Sequence, residues 1–287
     1  MDEKHIAELR QRLEIDAPVE VGWTSEHGSQ AGELRALYER GKCGHWNTGD
    51  DLDWSMPAPS WHGSMVDVDS ELFMLPQILK FMGADPDIRE RAAGDELAFI
   101  FSQLLHGEQT ALRICGQLID VCPTNDAKLY ASSQVADEPR HVEVIAKLLE
   151  RKLGTLCPVG PTRKNLFDCL LTASTWKTTP LGTQTLFEGM AVAVFDCLGR
   201  AARNPLPVDI LRCVKVDEAR HTAVGVLPMR RVVQEASEEE RAGLEDFDFE
   251  ILETLNANQN LDMLRVPGSR YGIDPDTIVQ VALSLPE

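Results

Sequence analysis

Two strings, Asp137-Glu138-Pro139-Arg140-His141 and Asp217-Glu218-Ala219-Arg220-His221, decide how this chain is read. Each places Glu and His three residues apart, and on a helix residues i and i+3 leave the same face. A carboxylate and an imidazole on one face can reach one divalent metal ion. A single such pair in a Glu-rich chain says little; two copies in one Asp-Glu-x-Arg-His frame say much more. The copies are offset by 80 residues (217 − 137). The same offset relates Glu108 to Glu188, each lying 30 residues before the Glu of its string (138 − 108 and 218 − 188).

The midpoints of these pairs are Pro123 and Arg203, beside the helix-stopping dipeptides Cys122-Pro123 and Asn204-Pro205. In an antiparallel helix pair, residues equally far from the turn stand at one height. Each hairpin therefore sets a Glu opposite a Glu-x-x-His, roughly 20 Å from its turn at about 1.5 Å per residue. Glu108 sits among Leu104, Leu105, Ala111 and Leu112, and Glu188 among Leu186, Met190 and Ala191, so neither reads as a solvated face. Four carboxylates inside an apolar core are very costly without compensating cations. Two divalent ions supply that charge, and two neutral imidazoles complete the donors; mixed N/O ligands suit Fe or Mn.

Glu108, Glu138 and His141, with Glu188, Glu218 and His221, are thus the candidate metal ligands. Asp137 and Asp217 can accept the second N–H of an imidazole, and Arg140 and Arg220 can pair with those aspartates. Pro139 removes a helical hydrogen bond, which predicts a kink or π-bulge inside the first string. Leu112, Gln184 and Val192, with Cys115, Phe187 and Phe195, are expected near a cavity beside the metals. Gln184 stands out as polar where plain core would be apolar.

Outward from these strings the pattern is helical. A helix is expected over 70–82 with Pro76 as a kink, and another from Asp85-Pro86 to Cys122. Further helices are expected from Thr124 to Gly154, from a Thr162 cap to about Thr178 with a break at Pro180, over 183–203, and over 208–233 with Pro228 disturbing its end. No segment alternates with period two, so the class is all-α, a helical bundle. Residues 1–65 read as an N-terminal arm, with a short amphipathic helix on Ile6, Leu9 and Leu13, a second over 31–42, and a wrap carrying Trp46, Trp54 and Trp61. Residues 66–287 read as the bundle with an acidic C-terminal extension.

The chain has 287 residues with 28 Lys plus Arg against 46 Asp plus Glu, a net charge of −18. So acidic a surface repels phosphate, which excludes nucleic acid and anionic membrane surfaces as expected partners. Residues 235–253 carry nine acids and one Arg, read as a solvated helix face. No stretch is apolar enough to span a membrane, and residues 1–5 do not read as a signal peptide. Seven scattered Cys without a C-x-x-C pair suit a reducing cytoplasm. Cys43 and His45 lack the second half of a zinc site.

With its doubled Asp-Glu-x-Arg-His, the chain resembles the ferritin-like di-iron carboxylate oxygenases over about residues 85–232. It is most similar to the hydroxylase subunits of bacterial multicomponent monooxygenases, to aryl-amine N-oxygenases and to the ribonucleotide reductase small subunit. The resemblance implies a ferritin-like four-helix bundle with additional helices. Glu108, Glu138 and His141 would bind one iron, and Glu188, Glu218 and His221 the other. Asp137 would hold His221, and Asp217 would hold His141. It further implies two Fe, or Mn and Fe, with O2 as co-substrate, a small organic substrate, an electron-donor protein and a homodimer. The activity implied is hydroxylation or N-oxygenation. The alternatives are a ferroxidase and a Mn/Fe metal-handling protein without an organic substrate. Three positions depart from the relatives: Val192 where the monooxygenases carry Thr, Val214 where the N-oxygenases carry His, and Ile145 where the reductase carries its radical Tyr.

Overall fold

The computed structural model describes residues 28, 29, 31–56, 65–173, 175–256, 259–274, 276 and 280. The helix expected on Ile6, Leu9 and Leu13, Trp61 and most of residues 275–287 lie outside them. The helices are α1 (Gly32–Cys43), α2 (Met74–Phe81), α3 (Pro86–Val121), α4 (Asn125–Leu148), α5 (Pro161–Thr172), α6 (Glu188–Ala201), α7 (Pro205–Glu235), α8 (Glu238–Asn256) and α9 (Gln259–Arg265). Among the described residues there is no strand, only a lone antiparallel bridge from Val66 to Ala202. Residues 65–67 are clipped there to the α6–α7 turn.

Two antiparallel hairpins form the bundle: α3 with α4, turning at 122–124, and α6 with α7, turning at 202–204. Thr124 caps α4, its Oγ1 accepting from the Ala127 N–H at 3.2 Å, and Asn204 caps α7 by accepting from the Leu206 N–H at 3.0 Å. The hairpins lie head to tail. One apolar cluster joins Phe101, Leu105, Ile145 and Leu148, far from the first turn, to Phe195, Leu198, Ile210 and Val214, close to the second. A separate cluster joins Leu118, Cys122, Ala127 and Tyr130, near the first turn, to Val224, far from the second. The heights between these clusters, where residues 108, 138, 188 and 218 lie, are thereby closed off at both ends.

The segment ahead of the bundle shares its core. Leu34 and Leu37 of α1 pack into the second cluster, while Leu52, Met65 and Val66 belong to the first, with Trp46 and Trp54 against it. The acidic run falls on α8, whose acids except the half-buried Asp248 face water while Leu244, Ile251 and Leu255 are buried. No described helix is long and apolar enough to cross a membrane.

Several expected boundaries move. Helix α2 begins at Met74 rather than at residue 70, which puts Pro76 in the first turn, where its missing N–H costs nothing. The first string stays α-helical through Pro139, because packing against α1, α3 and α7 outweighs one lost hydrogen bond. Likewise α7 runs on through Pro228. The π-helical turns lie elsewhere, at Leu149–Leu153, closed by Gly154 at φ 64°, and at Pro180–Phe187, directly before Glu188. Pro180 therefore opens that π-helical segment instead of breaking a helix. Helix α5 ends at Thr172, and its cap is Gly160 rather than Thr162. The Asp262 carboxylate takes the Thr162 N–H at 3.0 Å, and a Cβ at residue 160 would lie 2.5 Å from that oxygen.

Glu96 performs the same service for α2. Its two carboxylate oxygens accept from the Met74 and Leu75 N–H groups at 2.9 and 2.8 Å, and the side chain is buried. Burial pushes its pKa up to about 7 from 4.5, against the opposing pull of those two bonds. A carboxyl with a raised folded pKa takes up protons on folding, so stability falls as pH rises from about 4.5 to about 7 and levels off beyond. Glu96→Gln should remove that slope, worth on the order of 3 kcal/mol across the window. Urea midpoints of parent and variant at pH 5 and pH 8 would check this; equal pH dependence in both would refute it.

Candidate metal centre

The four central helices each deliver side chains at one height. Glu108 comes from α3, Glu138 and His141 from α4, Glu188 from the start of α6, and Glu218 and His221 from α7; all six are buried. His141 Nδ1 lies 3.2 Å from Glu108 Oε2, 3.4 Å from Glu138 Oε2 and 3.1 Å from Glu218 Oε1. His221 Nδ1 lies 3.3 Å from Glu138 Oε1, 3.4 Å from Glu218 Oε2 and 4.0 Å from Glu188 Oε2. Glu138 and Glu218, one from each hairpin, thus stand between the imidazoles, whose ring centroids are 5.9 Å apart.

Donor atoms of Glu108, Glu138, His141 and Glu218 fall within 4.8 Å of one another, as do those of Glu188, Glu218 and His221. Glu138 Oε2, Glu188 Oε2, Glu218 Oε2 and His221 Nδ1 are buried without a hydrogen-bond partner. Buried polar atoms are almost always satisfied, so four orphans among these neighbouring donor groups fit cations there. Without metal the cluster balances itself with protons. Burial pushes the Glu108 carboxyl up to about 8 and the Glu188 carboxyl well above its ordinary value. Burial works the same way on Glu218, but the His221 and His141 rings outweigh it and hold this carboxyl at about 2. Both imidazoles are raised, carboxylates overcoming the cost of burying their charge.

The outer nitrogens are held across the hairpins. His141 Nε2 lies 3.2 Å from Asp217 Oδ2, and His221 Nε2 lies 3.2 Å from Asp137 Oδ2. Arg140 donates to Asp137 at 2.6 Å and Asp217 at 3.1 Å; Arg220 donates to Asp137 at 2.6 Å and Asp217 at 2.9 Å. These four charges form a closed ring that fixes both imidazoles with Nδ1 turned inward. Trp46 Nε1 adds a 2.9 Å bond to Asp217, and its indole stacks on His141 with centroids 6.3 Å apart. Sequence reading placed Trp46 only in a wrapping segment, since nothing in its local pattern reveals contact with a residue 171 positions away.

Gln134 was also missed. Its Nε2 donates to Glu188 Oε1 at 2.8 Å and Glu138 Oε1 at 3.2 Å, joining the hairpins. A signal existed: Gln134 stands four residues before Glu138 as Gln184 stands four before Glu188.

A pocket reaches Glu108, Glu188 and Glu218 between α3 and α6, walled by Leu104, Gly107, Ala111, Phe187, Met190, Ala191 and Val194, with Gln103 and Arg163 as its other polar members. Leu112, Gln184 and Val192 do not line it. The wall uses the second, third and sixth positions after Glu188 rather than the fourth, and the π-helical turn swings Gln184 toward α4. There Gln184 is buried and bonds Gln134 Oε1 at 3.5 Å. Phe187 is in the wall, whereas Phe195 belongs to the core. Cys43 and His45 are exposed, with His45 Nδ1 taken by Arg140.

No family model matches the sequence, and no curated protein does. Solved structures of R2-like ligand-binding oxidases do match. A variant with an anaerobically reconstituted Mn/Fe cofactor superposes with TM-score 0.57 at 17% identity, over 89% of this chain and 94% of that one. A second, with an aerobically reconstituted Mn/Fe cofactor after a long soak, gives 0.54 at 14% identity over 88% and 93%. A third, a variant with an aerobically reconstituted Fe/Fe cofactor, gives 0.54 at 14% over 86% and 88%. At such identities the likeness establishes architecture alone, and the architecture is that of a ferritin-like helical bundle.

Proposed function

We propose that this chain is an O2-dependent di-metal oxidase of the Fe/Fe or Mn/Fe kind, acting on a small organic molecule by hydroxylation or N-oxygenation. The carrying observation is the set of buried, unpartnered carboxylate oxygens facing two inward Nδ1 atoms. Glu108, Glu138 and His141 would hold one ion and Glu188, Glu218 and His221 the other, with Glu138 and Glu218 reaching both. Held there, two divalent ions would supply electrons to O2. The protein's own part is to orient the imidazoles through Asp137 and Asp217, keep water away with the two apolar clusters, and admit the substrate along the α3–α6 pocket. Turnover would draw on an electron-donor protein, and we place the chain in the cytoplasm as a homodimer.

The pocket walls favour this over the ferroxidase alternative. Iron entry calls for an acidic funnel, whereas this route is mostly apolar and passes Arg163, a cation that repels Fe2+. Anaerobic Fe2+ loading of the parent should give near two Fe per chain, and Glu108→Ala with Glu188→Ala should lose them. Parent content below about half an equivalent would refute the reading. Oxygen uptake then separates the alternatives: the proposed enzyme needs its organic substrate and electrons from a donor to turn over, whereas a ferroxidase continues on added Fe2+ alone.

A further inference from the structure

We infer that Cys115 is a metal ligand, its thiolate completing the position formed with Glu138 and Glu188. This rests on the di-metal reading above and adds a donor that the Glu-x-x-His symmetry does not contain. Cys115 lies on α3 seven residues after Glu108, two turns along the same face. Its Sγ, one oxygen of Glu138 and one of Glu188 lie within 4.8 Å of one another, as donors to one ion would. The side chain is fully buried, and its hydrogen-bonding contact is Glu138 Oε1 at 3.9 Å. A second observation points the same way: Glu188 Oε2, also buried, has no partner, and Gln134 clamps the other Glu188 oxygen toward Glu138.

Buried thiols elsewhere look different. Cys122 packs among Leu34, Leu118 and Tyr130, and Cys157 among Leu75, Leu79 and Phe99. Those are small hydrophobes, whereas Cys115 joins a carboxylate pair. On metal binding the S–H bond breaks, a metal–sulfur bond forms and one proton is released to solvent, with no change of oxidation state. The consequence is asymmetry. The position of Glu108, Glu138, His141 and Glu218 offers only oxygen and imidazole nitrogen, which suit Mn or Fe alike. The position beside Cys115 adds a soft donor that favours Fe or Co over Mn. Four carboxylates and one thiolate also carry five negative charges, which a divalent and a trivalent ion together neutralise.

Co2+ loaded anaerobically into the full chain tests this. The parent should show a sulfur-to-cobalt charge-transfer band in the near ultraviolet and, by X-ray absorption, a sulfur neighbour at about 2.3 Å. Cys115→Ala and Cys115→Ser should lose both features and bind the second Co2+ at least about tenfold more weakly. Should either variant fail to fold, the parent's sulfur neighbour decides alone. Near two Co2+ per chain without a sulfur neighbour would overturn the thiolate and leave the di-metal reading standing. Failure of the parent to bind either Co2+ or Fe2+ would overturn both.

Discussion

Asp217→Ala is expected to lower the free energy of unfolding of the metal-free protein by about 3–5 kcal/mol, the cost of removing one partner from a buried charge network. Asp217 is fully buried and accepts from Trp46 Nε1, Arg140, Arg220 and the His141 ring. The arginines cannot recover hydration easily, since their side chains are only 15% and 9% exposed. In the variant Asp137 is the one carboxylate left to both guanidiniums, and His141 is free to turn Nδ1 away from the other carboxylates. Metal affinity should therefore fall roughly 10–100-fold as well. Asp217→Asn keeps an acceptor and should cost less on both counts. Asp137→Ala should behave like Asp217→Ala with the hairpins exchanged, and the double variant should be far from additive because the two share every arginine contact. Urea denaturation of the four proteins checks this; strict additivity would show that the ring does not act as a unit.

The second large effect is expected at Gly225. A Cβ there would meet Thr185 Oγ1 at 2.5 Å, Gln184 Cβ at 2.8 Å and the Thr185 backbone N at 2.8 Å. The last is backbone, so α7 and the π-helical turn must separate. Gly225→Val should destabilise by at least about 1–3 kcal/mol through overpacking. The displacement also reaches the site, because Gln184 bears on Gln134, and Gln134 holds Glu188. Gly225→Val should thus lose metal from the Glu188 position before the Glu108 position, reading as near one metal per chain where the parent takes two. Gly116→Ala is the control: nothing lies within 4 Å of its Cβ, and a mid-helix Ala should stabilise by about 0.5–1 kcal/mol. A melting-temperature series with metal analysis checks both, and an unchanged Gly225→Val would remove the close-approach argument.

The positions of the helices around the cluster were legible because they follow from local chemistry. Cys122-Pro123 and Asn204-Pro205 stop helices, Thr124 opens the next one, and an 80-residue shift carries Glu108, Glu138 and His141 onto Glu188, Glu218 and His221, although α7 begins at Pro205, capped by Asn204, rather than at about Val208. No π-bulge forms at Pro139: propensity sees the lost bond and not the three helices packed against α4. The π-helical turn before Glu188 went unread for the complementary reason. The turn packs against Gly225, 37 residues after Glu188, whose bare Cα lets α7 approach, and no local window contains that contact.

By itself, then, the sequence determined an all-α bundle of two hairpins and the six side chains that stand at one height within it. Periodicity, caps and spacing act over a few residues and survive any arrangement of the hairpins. Only the tertiary structure decided that the hairpins lie head to tail, that Arg140 and Arg220 each bridge both aspartates, and that Trp46 and Gln134 join the cluster. Contacts between residues 54 to 171 positions apart depend on which faces meet and how closely. Side-chain volume and backbone approach across the whole core set that, and no local window contains them.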